Sequence, residues 1–573
     1  MESISAKQYA RQFVPKLYTV LRGGYSWQDL RSDAIAGLTV AIVALPLAMA
    51  LAIASGTTPE KGLYTAIVAG FLISALGGSR VQVGGPTAAF IPVVFVVIQK
   101  FGFGGLILCT LLAGLMLIAA GLFRLGTLVK YMPQPVITGF TAGIAVSIFS
   151  SQVKDVLGLR MGAVPADFFA RWTAYAQHLP SLRPSTLAIA MLGLGMIAAL
   201  RRWRPAWPGF LIALVICTAL SVGLTLPIET IGSRFGSLSA TLPIFDFPHI
   251  PFERTRELFP SAFTIAFLAG VESLLSAVVA DGMTGGRHRS NGELVAQGVA
   301  NVASALFGGL PATGAIARTT TNIRAGGRTP VAGMLHAVFI LLFMLLLAPL
   351  MRYVPLAALA AVLLVVAWNM SEVENFRHTM SAPKGDRLVL LLTFGITVFF
   401  DLTLAIEVGL VVASFVFMFR MADAVEVSSG LTLIDSEADD PLEEIDQGQR
   451  IRLPKDVEVY QISGPLFFGA ANRLDDLLDQ FFKPPKVFIL RMRLVPFIDA
   501  SGVHALKTLA ERCHRRGIVL VVSGLQSQPR RVIEKMELQP RAGALYFAEN
   551  YEEALTLAGS LVDNSFVENA TGT

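Results

Sequence analysis

Apolar segments that are long enough to cross a lipid bilayer recur through the first 420 residues of this chain. A window of about 20 residues finds fourteen of them between residues 34 and 420, two of them short. Hydrophobic residues make up 54% of the chain and charged residues only 15%, a balance that ordinary soluble domains do not have. The sequence therefore predicts a polytopic α-helical membrane protein.

The charges between these spans predict the orientation of the chain. Arginine-rich clusters occupy 201–204, 287–289 and 377–384, in loops that share one side when the amino terminus is cytoplasmic. Cytoplasmic loops carry the excess of Lys and Arg. No cleavable signal peptide is visible, so we expect a multi-pass protein of the inner (plasma) membrane with both termini in the cytoplasm. The net charge of +5 is spread along the loops and does not indicate nucleic-acid binding.

Two of the spans begin with a break that is rich in glycine and proline. Span three (86–100) opens with GPTAA at 85–89, and span ten (314–323) opens with PATGA at 311–315. They occupy matching places in the two sets of seven spans, which predicts a 7+7 inverted repeat with two half-helices whose starts face each other near mid-membrane. Unpaired N–H groups and helix dipoles would converge there on an anion. Ordinary proline kinks are the alternative.

One carboxylate, Glu272, lies inside the apolar stretch 259–280. A charge in the middle of a bilayer costs roughly 2.5 kcal/mol or more, and such residues usually face a polar cavity and serve transport. Glu293, Asp401 and Glu407 lie near predicted helix ends, where their side chains can reach the interface, and they are interpreted as structural.

The carboxy-terminal part has a different composition. An acidic, apolar-poor segment at 435–446 precedes alternating strand and helix patterns, which predict a small cytoplasmic α/β domain. The predicted organisation is an amino-terminal segment at 1–30, a membrane domain at 31–422, a linker at 423–452, the α/β domain at 453–562 and a disordered tail at 563–573.

Motifs around the second break resemble the SulP family of anion transporters. They are SNGEL at 290–294, GGLPATGAIART at 308–319 and NIRAGG at 322–327. The resemblance covers nearly the whole chain, and the carboxy-terminal domain looks like the STAS domain of that family. It implies a secondary active transporter of small anions that works by alternating access.

A narrower resemblance concerns the substrate. LPLAMA at 45–50, VESLL at 271–275 and VAWNM at 366–370 look like the C4-dicarboxylate carriers of the family, and Leu47 stands where many sulfate-type members have Gln. This implies proton-coupled uptake of succinate or fumarate. Sulfate transport, bicarbonate transport and an uncoupled anion channel are the alternatives, and a membrane scaffold built on the STAS domain is an alternative of another class.

The family resemblance also implies a set of site residues. Backbone donors and side chains of the two half-helices would bind the anion, and Arg318 would add a positive charge. The residues expected to line this site are Thr87, Ala88, Ala89, Phe90, Gly314, Ala315, Ile316 and Arg318.

Coupling is expected to depend on Glu272. It could take up a proton with the substrate, bind a cation together with Ser276 one helical turn later, or form an ion pair with Arg318. Ile316 stands where sodium-dependent members would have a Thr, which removes an oxygen ligand, so protons are favoured over sodium. No resident cofactor is expected, and neither nucleophile-and-base arrangements nor metal-ligand spacings indicate an enzyme.

In the STAS-like domain, Ala500 occupies the place of the Ser that is phosphorylated in soluble relatives. Ser501 is a substitute for it, and Asp499 is expected to cap the following helix. In this family the STAS domain stabilises a homodimer and binds cytoplasmic proteins, so both are expected partners here, beside the anion and the lipid bilayer.

Overall fold

A computed structural model describes residues 12–127, 132–162, 164–204, 207–236, 252–400, 402–429, 454, 456–469 and 484–570. The chain divides into two compact units, Met1–Ala413 and Ser414–Thr573. Asp401 and the acidic segment at 435–446 lie outside the described residues.

The first unit is helical. Its helices are α1 (Lys16–Arg22), α2 (Trp27–Ala54), α3 (Pro59–Leu76), α4 (Ile91–Leu122), α5 (Gln134–Leu157), α6 (Phe168–His178), α7 (Pro184–Trp203), α8 (Gly209–Gly223), α9 (Ile231–Phe235), α10 (Thr255–Thr284), α11 (Ser290–Leu306), α12 (Ile316–Arg324), α13 (Pro330–Met351), α14 (Leu356–Met370), α15 (Val373–Met380) and α16 (Lys384–Phe399), with α17 (Leu402–Asp423) leading into the second unit. Two short strands, β1 (Gly84–Gly85) and β2 (Thr313–Gly314), interrupt them.

The long helices form two bundles. In the first, α13 packs against α2 and α3, while α4 packs against α10 and α11; in the second, α5 packs against α14 and α16. Each predicted apolar span coincides with a helix, because uniform apolarity over such a length excludes other structures in lipid. Eight described helices are long and apolar enough to cross a membrane, so the polytopic helical fold is confirmed and the count of fourteen stays a prediction.

A sharp bend separates predicted spans three and four. They lie in α4, whose two helical segments meet at Gly102, where φ is 69° and ψ is −175°. A residue with a Cβ atom is strained at such a positive φ, whereas glycine is not. The glycine therefore lets one apolar stretch supply both a half-helix and a returning span.

The second unit is an α/β fold. Its elements are β3 (Glu426–Ser429), β4 (Val457–Ser463), β5 (Val487–Leu494), α18 (Ala500–Arg515), β6 (Val519–Ser523), α19 (Ser527–Lys535), β7 (Leu545–Ala548) and α20 (Tyr551–Ala570). The strands lie in chain order, with β3 antiparallel to β4 and the remaining pairs parallel. Phe488, Leu490 and Leu520 lie in its apolar core.

Two predicted boundaries need correction. The predicted linker at 423–452 begins with an ordered strand, because β3 pairs with β4 from Glu426 opposite Ser463 to Ser429 opposite Tyr460. Most of the predicted disordered tail at 563–573 is helical, since α20 continues to Ala570. Neither segment is apolar enough for hydropathy to reveal it.

Candidate functional site

The two half-helices begin from one small β-ladder. Gly84 of β1 lies opposite Gly314 of β2 in an antiparallel pair, and the N–H of Ala315 donates to the Val83 carbonyl at 3.0 Å. A turn of 3₁₀-helix (Ala88–Phe90) and α4 follow β1, while α12 follows β2. Because antiparallel strands each lead into a helix, the two helices start at one place and run in opposite directions.

Both helix starts leave backbone donors without helical partners. No side chain caps the 3₁₀ turn or α12. The first internal bonds are Phe90 N–H to Thr87 and Thr319 N–H to Ala315, so the preceding N–H groups have no acceptor within their own helices. These groups belong to Ala88, Ala89, Ile316, Ala317 and Arg318. The Ala315 N–H, by contrast, is already used by the ladder, and the donor of Ala317 was missed by the sequence analysis.

Glu272 of α10 reaches the start of the first half-helix. The Thr87 hydroxyl donates to Glu272 Oε2 at 3.0 Å, and Glu272 is partly exposed whereas Thr87 is buried. The structure thus brings together two residues that lie 185 positions apart. A carboxylate held at a helix start interacts favourably with the helix dipole, and it lies where a bound anion would meet it.

Arg318 braces the ladder from the second half-helix. Its guanidinium donates from Nη1 to the Gly84 carbonyl at 3.3 Å and from Nη2 to the Pro86 carbonyl at 3.0 Å, and it is only 3% exposed. Arg318 and Glu272 are both described, and no ion pair joins them. The positive charge of Arg318 therefore lies next to the helix starts and is bound by backbone carbonyl groups, which carry no net charge.

Gly85 makes room for this arginine. Its φ is 149°, and a Cβ atom at this position would lie 2.0 Å from Arg318 Nη1. Both the backbone conformation and the space exclude a larger residue. This explains physically why the break before span three contains glycine next to proline.

Ser276 contacts the second half-helix. Its hydroxyl bonds to Thr319 Oγ1 at 3.1 Å, and the same oxygen accepts the Val83 N–H at 3.1 Å. Thr319 thus ties α10 and α12 to the segment before β1. Ser276 belongs to this structural contact.

The other predicted residues surround the helix starts. Ala88, Ala89, Phe90, Gly314 and Ala315 are buried. Ile316, in contrast, is 36% exposed at the first position of α12. Exposed positions at the helix starts are thus Ile316 and Ala317, beside the partly exposed Glu272.

Behind the ladder lies a buried polar network that hydropathy did not reveal. Gln82 Nε2 donates to the carbonyl and the hydroxyl of Ser273, both at 3.0 Å. Glu293 accepts from Gly78 N–H at 2.7 Å, Ser79 N–H at 3.2 Å, Ser273 Oγ at 3.1 Å and Gln297 Nε2 at 2.8 Å. Glu293 is 0% exposed, so the expectation that it reaches the interface is wrong. Glu407, in contrast, is exposed.

In the second unit, the Asp499 side chain caps α18. It accepts the Gly502 N–H at 2.8 Å and the Phe468 N–H at 3.3 Å. Ser501 lies exposed in the first turn. The capping prediction is confirmed, and a regulatory role of either residue stays a prediction.

A helical membrane unit with two facing half-helices, followed by a small α/β unit, defines a membrane transport protein. Comparison with known proteins agrees: the Sulfate permease family matches residues 30–393, and the STAS domain matches residues 450–554. The chain belongs to the Sulfate permease family and is an anion transporter of that family.

The chain matches relatives over nearly their whole length, and these relatives are named as transporters. The chain is 42% identical over 534 residues to "Putative sulfate transporter YvdB" of Bacillus subtilis, covering 92% of this chain and 98% of the relative. It is 30% identical to "Bicarbonate transporter BicA" of Picosynechococcus, covering 92% and 94%. The narrower resemblance to C4-dicarboxylate carriers is not shown by these relatives.

Solved structures share the fold. The murine Solute Carrier 26 family member A9 anion transporter, in an inward-facing state, superposes with a TM-score of 0.85 at 19% identity, covering 98% of this chain and 96% of the other. The transmembrane domain of a cyanobacterial BicA superposes with a TM-score of 0.59 at 30% identity, covering 68% and 98%.

Proposed function

We propose that this protein transports a small inorganic oxyanion, with sulfate as the first candidate, by alternating access, and that Glu272 takes up a proton together with the anion. The observation that carries the proposal is the convergence of two uncapped helix starts on the Thr87–Glu272 contact. With a proton as the coupling ion, an inward proton gradient drives this transport as uptake into the cell.

The helix starts supply what an oxyanion needs. Five backbone N–H groups without helical acceptors and the positive ends of two helix dipoles favour negative charge at this point. The Arg318 guanidinium is bound to the carbonyls of Gly84 and Pro86, and its positive charge also favours an anion at the helix starts. An anion bound here needs no side-chain cation in direct contact.

Glu272 would repel that anion unless it is neutral. Protonation removes the repulsion, and the new carboxyl O–H then needs an acceptor. The Thr87 hydroxyl, which donates to the carboxylate at 3.0 Å, can rotate to accept that hydrogen. A sodium ion requires several oxygen ligands, whereas Ser276 is bonded to Thr319 and Ile316 offers no oxygen. These contacts favour a proton as the coupling ion.

Two other substrates fit the same donors. Bicarbonate is the second candidate, since a relative named as a bicarbonate transporter matches nearly the whole chain. C4-dicarboxylates are the third, and only the short motifs of the sequence analysis favour them. For the STAS unit we propose dimer stabilisation and contact with a cytoplasmic partner, with Ser501 as its regulatory position.

The test is uptake of labelled sulfate, bicarbonate and succinate into proteoliposomes under an inward proton or sodium gradient. We expect proton-driven sulfate uptake, which Glu272→Gln abolishes. Glu407→Gln makes the same change at an exposed position of α17 and should leave uptake intact.

The remaining outcomes distinguish the alternatives. Sodium-driven uptake would overturn the proton assignment, and succinate uptake without sulfate uptake would restore the dicarboxylate hypothesis. Current without substrate saturation would indicate a channel, and no uptake of any anion would support a scaffold built on the STAS unit.

A further inference from the structure

A second polar region of the first unit adjoins the candidate site. It is a cavity of about 300 Å³ that is lined by the ends of α2 and α5, the beginning of α4, and the segment around α6. Lys154, Asp155, Arg171 and Arg234 line it, and so do Ser147 and Ser151 of α5.

The cavity opens on the face opposite the arginine clusters. It lies at the Leu157 end of α5, where the Arg183 N–H donates to the Leu157 carbonyl at 3.1 Å and α7 begins. Arg201 and Arg202 lie in the last turn of α7, one membrane span away. Because arginine-rich loops face the cytoplasm, the cavity faces outward.

Two cations in this cavity have no acidic partner among the described residues. Lys154 Nζ donates to the Gly162 carbonyl at 2.9 Å. Arg171 donates to the carbonyls of Pro165 at 3.0 Å and Ala166 at 2.9 Å. Carbonyl oxygens orient these groups but do not neutralise them, and each cation retains N–H groups for a further acceptor.

The third cation is neutralised. Arg234 pairs with Asp155 at 2.8 Å and with Glu229 at 2.6 Å. Arg234 and its two carboxylates together carry one net negative charge, so Lys154 and Arg171 leave this group of five residues with a net positive charge. The Arg171 guanidinium also lies 6.0 Å from the centroid of the Phe95 ring, which holds it against α4.

The cavity also borders the candidate site. Ile91 and Pro92 line it, and they directly follow the 3₁₀ turn that carries the Ala88 and Ala89 donors. We propose that this cavity is an outer vestibule in which Lys154 and Arg171 bind a small oxyanion or carboxylate before it reaches the helix starts. The onward path depends on the proposed function, but binding in the vestibule does not.

Cysteine accessibility tests binding separately from transport. Ser151→Cys places a thiol in the cavity one turn before Lys154, and the native Cys109, Cys217 and Cys513 are fully buried. The full-length Ser151→Cys protein is treated separately with a negatively charged and a positively charged methanethiosulfonate reagent. Each modification rate is divided by the rate at which the same reagent modifies a small free thiol, which gives the corrected rate.

We expect the corrected rate of the anionic reagent to exceed that of the cationic reagent by on the order of tenfold, because the net positive charge around the cavity attracts it. Adding Lys154→Gln and Arg171→Gln should bring the ratio close to one, and sulfate should slow the anionic reagent. Arg254→Gln is the control, since Arg254 is about half exposed, pairs with Glu257 and does not line the cavity.

A ratio at or below one, a ratio that the two substitutions leave unchanged, or a thiol that neither reagent modifies would overturn the proposal. If the substituted variants fail to fold, a salt titration of Ser151→Cys alone decides, because screening must lower the ratio. A parent protein that shows the expected ratio but transports nothing would contradict the proposed function and leave the vestibule standing.

Discussion

Thr87 donates its hydroxyl hydrogen to Glu272 across 3.0 Å, and this contact joins the start of one half-helix to the middle of α10. The pair places a partly exposed carboxylate beside the proposed anion site. A change in the protonation of Glu272 would therefore alter the start of the half-helix directly.

The Thr87 hydroxyl should matter for anion affinity. Thr87→Val keeps the branched shape and removes the hydroxyl that fixes Glu272 beside the helix start, which costs about 1.4 kcal/mol and corresponds to about a tenfold rise in KM. Thr87→Ser retains the donor and should stay within about twofold of the parent. Initial uptake rates in proteoliposomes at varied anion concentration measure both, and equal KM values for the valine variant and the parent would contradict the role.

Arg318 should not be replaceable by lysine. Its guanidinium reaches two carbonyls at once, those of Gly84 and Pro86, whereas an ammonium group lacks the planar fork. We expect Arg318→Lys to retain less than about a tenth of the uptake. Arg324→Lys, at the last turn of the same helix, is the matched control. Full uptake by Arg318→Lys would show that only the charge matters.

Glu293 should stabilise the fold without taking part in transport. The ionised carboxylate of Glu293 accepts all four of its hydrogen bonds. In Glu293→Gln an NH₂ group, which can only donate, replaces one accepting oxygen and faces other donors. We expect a loss of about 2–3 kcal/mol, seen as a lower apparent melting temperature in detergent. Glu407→Gln should melt like the parent. A Glu293→Gln protein of parental stability that loses proton coupling would instead make Glu293 a coupling residue.

Cys513 of α18 should be inert in the folded protein. Burial raises the pKa of its thiol to about 12, so the thiolate, which is the reactive form, is scarce at pH 8 and becomes abundant only as the pH approaches 12. We expect iodoacetamide to label Cys513 at pH 8 only after denaturation, as measured by peptide mass spectrometry. Rapid labelling of the native protein would show that this unit opens readily.

Much of the architecture could be predicted because it depends on local properties of the chain. Apolar spans form helices in lipid whatever surrounds them, and the breaks at Gly85 and Pro311 mark both half-helices. The capping role of Asp499 is equally local, since its strongest partner, Gly502, lies three residues away. The family resemblance added the site residues, which composition and periodicity do not reveal.

The contacts that build the site were decided only by the tertiary structure. Gly78 and Glu293 are separated by 215 positions, and Arg318 and Pro86 by 232, so no pattern along the chain predicts which partner each group finds. The same reason explains the misplacement of Glu293: hydropathy reports how apolar a segment is, but not which buried donor or acceptor its polar side chains meet. The sequence by itself determined the membrane-spanning helices and their two breaks, whereas packing of the helices decided that the breaks pair with each other and enclose Thr87, Glu272 and Arg318.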